Sequence, residues 1–94
     1  MNTANRLADR KSTLRVTREH LARHKICAAE ANRQLRAVML KLHADPARGH
    51  LHYCEVGRLY VERESFLNRA ALTEGTCLTL RQEIATLKAQ LANE

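Results

Sequence analysis

One heptad register runs through the second half of this chain without a slip. His52, Val56, Leu59, Arg63, Phe66, Ala70, Thr73, Cys77, Leu80, Ile84, Leu87 and Leu91 follow one another at alternating spacings of four and three. Such spacing keeps all of them on one side of a slightly under-wound helix, where each side chain becomes a knob for a hole on a facing helix. Its densest part, Cys77, Leu80, Ile84, Leu87 and Leu91, is a coiled-coil seam. A seam is incomplete alone, so the chain has to supply a second helix or borrow one.

The first half supplies it. Leu7, Leu14, Leu21, Ala28, Leu35 and Leu42 fall on a strict seven-residue repeat. The companion seam position is poorer: Arg10, Thr17, His24, Ala31 and Val38. Residues 1 to about 25 are therefore only weakly amphipathic, and this basic arm is expected to fray or to order on binding. Between the two patterns lies Ala44-Asp45-Pro46-Ala47-Arg48-Gly49, which holds the only proline. Proline disfavours helical geometry in the residue before it and suits the first position of a new turn, with Asp45 as its cap. The expected fold is all-α, a long antiparallel helical hairpin forming one domain over residues 1–94. Its parts are a helix over about 4–44, a turn at 45–49 and a helix over about 50–92. Gly75 raises an alternative, a kink at 74–76 or a third helix from Thr76, but the register passes through it unbroken. Abundant Leu, Ala, Arg and Glu with few breakers fit long helices.

Folding at the turn makes a prediction about packing. Leu7 should lie by Leu87 and Leu91, Leu14 by Leu80 and Ile84, Leu35 by Leu59, and the small Ala28 opposite the large Phe66.

Some apolar residues are left over. Between Ile26 and Leu42 the first helix is apolar on more than one face, Met39 and Leu40 included. The second helix carries Tyr53, Tyr60 and Leu67, spaced by seven, beside its main seam. Two helices cannot cover all of this, which implies another chain: a second copy completing a four-helix bundle, or a different protein docking on an apolar surface. Tyr53, Tyr60, Leu67, Met39 and Leu40 are the candidate protein interface.

Charge is uneven. Residues 1–48 hold eleven Lys or Arg against four acids, a balance of +7, while residues 49–94 hold five against six, a balance of −1. The candidate basic surface is Arg10, Lys11, Arg15, Arg18, Arg23 and Lys25. A basic helix suits an acidic protein surface or a phosphate backbone. Aromatics that would stack bases are absent from that half, so nucleic acid is the alternative partner. A basic zipper is excluded, because the basic residues overlap the leucine repeat instead of preceding it and Pro46 interrupts the helix.

His20, His24 and Cys27 share a helix face, and His43, His50, His52 and Cys54 cluster near the turn. Neither set has the fixed spacing of a zinc motif, and no metal or other cofactor is expected. The odd cysteine count without a C-x-x-C pair fits reduced thiols. No phosphate loop, nucleophile elbow or pair of carboxylates in a cleft is recognisable, so an enzyme is not expected. No apolar run is long enough for a bilayer, and the basic N-terminus lacks the apolar core of a signal peptide, which together suggest a cytoplasmic protein. The expected function is a non-enzymatic protein-binding module: a small adaptor, chaperone, inhibitor or regulator.

Overall fold

The computed structural model describes residues 2–94. Helix α1 spans Thr3–Ala44 and helix α2 spans Tyr53–Ala92, joined by a 3-10 helix at Pro46–Leu51. Helix α2 runs back beside α1, so the fold is an all-α helical hairpin, with no strand among the described residues. None of its helices is long and apolar enough to cross a membrane, among the described residues.

The ends of the helices follow from local chemistry. Asn2 caps α1, its Oδ1 accepting the Asn5 backbone N–H at 2.8 Å, which satisfies one of the first-turn donors that have no intrahelical partner. The basic arm is therefore helical from Thr3 onward. Helix α1 stops where Asp45 turns extended, at φ −139° and ψ 78°, ahead of Pro46.

Two expectations about the turn are corrected. Asp45 stands at the cap position but makes no side-chain capping bond; its carboxylate lies 3.6 Å from Arg48 Nε instead. The second α-helix opens at Tyr53, not at 50, because residues 46–51 wind more tightly. Within them the Arg48 and His52 N–H groups donate to the carbonyls three residues back, and the α pattern resumes with Val56 N–H to His52 O at 2.9 Å. Gly49 lies close under the Leu42 side chain, which would have to move to admit a larger residue. A Cβ on it would sit 2.5 Å from Leu42 Cδ1 and 3.5 Å from the Tyr53 hydroxyl, whereas its φ is not positive.

The break considered near Gly75 does not form. Helix α2 continues through it, with the Thr76 and Thr79 hydroxyls donating to the carbonyls of Leu72 and Gly75 one turn earlier.

By packing, the described chain divides into two units: residues up to Ala22 with Ala70–Glu94, and Arg23–Arg69. In the first, Leu7, Leu14, Cys77, Leu80, Ile84 and Leu87 form one buried cluster, with Leu21 against it. These are the neighbours that the two heptad patterns imply, except that Leu91 stays 38% exposed. Arg10 occupies a seam position but reaches outward to Glu83, 3.1 Å away. Thr3 Oγ1 donates to Glu94 Oε1 at 2.6 Å.

In the second unit Leu35, Val38 and Leu59 form the core, with Met39 and Val56 packed on it. Leu59 is completely buried. Ala28 and Ala31 are buried as well, and Phe66 is half-buried. Each fully buried leucine contributes about 2 kcal/mol by area removed from water.

Candidate protein-docking face

The second unit carries the larger set of unsatisfied apolar side chains. Tyr53, Tyr60 and Leu67 stand 62%, 52% and 45% exposed, and Leu40 stands 70% exposed. Seven-residue spacing returns a helical side chain to nearly the same direction, so Tyr53, Tyr60 and Leu67 form one ridge along α2. Met39 differs from the other expected interface residues. It is half-buried, because it packs against the Leu35–Val38–Leu59 core.

Beside this ridge two open depressions follow the line where the helices meet. One is lined by Lys25, Ala28, Ala29, Asn32, Arg63, Glu64 and Leu67. The other is lined by Asn32, Leu35, Arg36, Met39, Leu40, His43 and Arg63. They share Asn32 and Arg63, so together they make one groove with a polar bridge across its middle.

Arg63 holds that bridge. It occupies a seam position, where an apolar residue would pack best. Its Nη1 donates to Asn32 Oδ1 at 3.0 Å and its Nη2 to Glu64 Oε1 at 3.2 Å. Its guanidinium carbon lies 5.1 Å from the centre of the Tyr60 ring, a cation–π distance. Its Nε is buried with no hydrogen-bond partner, the one such side-chain atom among the described residues. A buried donor without an acceptor is costly, and a native structure that keeps one calls for an explanation.

The groove is flanked by cations. Lys25 and Arg36 are exposed and form no ion pair among the described residues, and Glu64 is the single carboxylate lining it. The opposite side of the same unit has another character. There Ile26, Cys27, Ala31 and Phe66 surround a smaller depression bordered by Glu30 and Glu62. Both carboxylates are engaged, Glu30 with Arg33 and Glu62 with Arg58.

The six residues of the expected basic surface all lie on α1. Arg10, Lys11, Arg15 and Arg18 belong to the first unit, Arg23 and Lys25 to the second. Arg10 is partly neutralised by Glu83, while the other five have no ion-pair partner among the described residues. Neither histidine–cysteine set converges: among the described residues no group of three or more His, Cys, Asp or Glu is placed to hold a metal ion. Cys27, Cys54 and Cys77 are all free thiols.

Sequence reasoning missed Arg63, Asn32 and Arg36 as parts of the groove. The signal was present, since a lone arginine in an apolar register has to be either paired or functional. It also passed over Val61 and Ile26, which are 66% and 68% exposed. No protein-family model, curated protein or solved structure matches this chain.

Proposed function

We propose that this protein is a non-enzymatic protein-binding module, a small helical adaptor, chaperone or inhibitor, and that it docks a partner on the groove of its second unit. The observation that carries the reading is the ridge Tyr53–Tyr60–Leu67 beside an open apolar groove. Large apolar side chains scattered singly on a surface are ordinary, whereas a contiguous set bordered by polar residues marks an interaction surface. Tyrosine and arginine together, as at Tyr60 and Arg63, are the residue types enriched where binding energy concentrates.

Two occupants suit an apolar face: a second copy of the chain, giving a four-helix bundle, or a different protein. The charge bordering the groove distinguishes them. A second reading, a nucleic-acid-binding regulator, is favoured by the unpaired cations Lys11, Arg15 and Arg18, which recur at four- and three-residue spacing along one face of α1.

One comparison tests the proposal. Tagged wild-type protein, Tyr60→Glu/Leu67→Glu and Lys11→Gln/Arg15→Gln/Arg18→Gln are each purified with whatever they hold in their own cells. The proposal expects a co-purifying protein with the wild type and the glutamine variant, lost from the double glutamate variant while its circular dichroism remains helical. Retention by the glutamate variant removes the groove as the site. Co-purifying nucleic acid lost from the glutamine variant moves the function to the second reading.

A further inference from the structure

The charge around the groove is more specific than its apolarity. Three cations, Lys25, Arg36 and Arg63, surround it, against the single carboxylate of Glu64, and Glu64 is already engaged by Arg63. Lys25 and Arg36 answer to no acid among the described residues. Of the five N–H donors of Arg63, the bonds to Asn32 and Glu64 use two, and the buried Nε is among those left over. A face that is apolar along its centre and cationic along its borders is complementary to an element that is apolar along its centre and anionic along its borders.

Geometry narrows the element to a helix. The ridge Tyr53–Tyr60–Leu67 repeats every seven residues, and knobs at that spacing interlock with a helix of the same repeat. A helix also arrives with its backbone hydrogen bonds already made and asks the groove only for side-chain contacts, whereas an extended strand needs a sheet edge that an all-α unit does not offer. From Tyr53 to Leu67 is two heptads, about 21 Å of helix axis, enough for an occupant of about four turns.

We infer that the groove of the second unit takes an acidic amphipathic helix of another protein as a third strand, with leucine-type side chains against Tyr60, Leu67 and Leu40 and carboxylates meeting Lys25, Arg36 and the guanidinium of Arg63. The inference rests on the protein-binding reading above and names the chemistry of its partner. A second copy of this chain is a poorer occupant. Laid on itself, this face sets Lys25, Arg36 and Arg63 against the same cations, and like charges across an interface oppose docking.

The test uses the full chain and three synthetic three-heptad peptides with identical leucine positions, flanked by glutamate, by glutamine or by lysine. Binding is followed by anisotropy of the labelled peptide at low and at physiological salt. Sedimentation of the protein alone runs alongside. The variants are Leu67→Glu and Lys25→Glu/Arg36→Glu. All three positions are exposed, and circular dichroism confirms that the helices persist.

The acidic peptide should bind about tenfold or more tightly than the lysine peptide, as two or three partly exposed ion pairs imply. Leu67→Glu should abolish binding of all three peptides, and Lys25→Glu/Arg36→Glu should reverse the preference. Equal or tighter binding of the glutamine or lysine peptide overturns the acidic partner and leaves the docking face standing. Self-association of the wild type, lost in Leu67→Glu, with no peptide bound, makes the occupant a second copy and overturns the inference. Labelled duplex DNA that binds more tightly than any peptide, and is lost on Lys25→Glu/Arg36→Glu, assigns the cations to phosphate and overturns it too. A protein that binds no peptide and does not self-associate removes the inference and the protein-binding reading together.

Discussion

Replacing Arg63 by leucine should leave the fold almost untouched and impair the groove. The substitution removes the Nη1 bond to Asn32, about 1 kcal/mol for a typical intramolecular hydrogen bond. It removes the partly exposed contact with Glu64, a few tenths of a kcal/mol at about that exposure. The cation–π contact with Tyr60 is lost as well, about 0.5–1 kcal/mol. Against these stand two gains. The partnerless Nε disappears, relieving about 1–3 kcal/mol of desolvation. An apolar side chain also enters a seam position, contributing about 1.5 kcal/mol more. Asn32 is only half-buried, so water replaces its lost donor. The balance lies between neutral and about 3 kcal/mol stabilising, in line with other replacements of buried charge by well-packed hydrophobic residues. Urea unfolding of wild type and Arg63→Leu at equal concentration, followed at 222 nm, should show the variant's midpoint at or above that of the wild type. Arg63→Ala, which takes the losses without the packing, should be less stable than Arg63→Leu by about 1.5 kcal/mol. Binding of the acidic helical peptide should fall in both. A loss of about 3 kcal/mol or more in Arg63→Leu would show that Arg63 is a structural pillar of the seam and not a group held for a partner's carboxylate.

Other substitutions separate core from surface. Gly57→Ala and Gly75→Ala lie within α2, and a Cβ at either meets nothing within 4 Å; each should stabilise by about 0.5–1 kcal/mol and the two should add in urea unfolding. Leu59→Ala empties the one fully buried leucine and should cost about 2–5 kcal/mol, read as an earlier urea midpoint; a cost under about 1 kcal/mol would mean the second unit's core is not where Leu35, Val38 and Leu59 place it. Leu67→Glu, at an exposed position, should change stability by no more than about 0.5 kcal/mol while abolishing partner binding.

Much of this fold was legible because heptad periodicity reports on burial directly. Leu7, Leu14, Leu80, Ile84 and Leu87 were readable as one cluster from spacing alone, since a helix pair admits few registers once the turn is fixed by Pro46. The turn was less legible. The six-residue 3-10 winding and the idle Asp45 side chain depend on which carbonyls the backbone reaches, and sequence does not show that. The ridge Tyr53–Tyr60–Leu67 was visible as a second stripe beside the seam. The groove it borders was not, because Lys25, Asn32 and Arg36 come from the other helix and join Arg63 only after the hairpin closes. The ion pair of Arg10 with Glu83, which partly neutralises one of the six expected basic residues, likewise needs the other helix in place.

The most direct test of the docking face is site-specific photo-crosslinking in the protein's own cells, from position 67 and, as control, from position 72. Leu72 is the more exposed of the two, 76% against 45%, and five residues of helix turn it about 140° away from the ridge. A discrete protein adduct is expected from 67 and none from 72. Equal labelling from both positions, or adducts from 72 alone, would contradict the docking face.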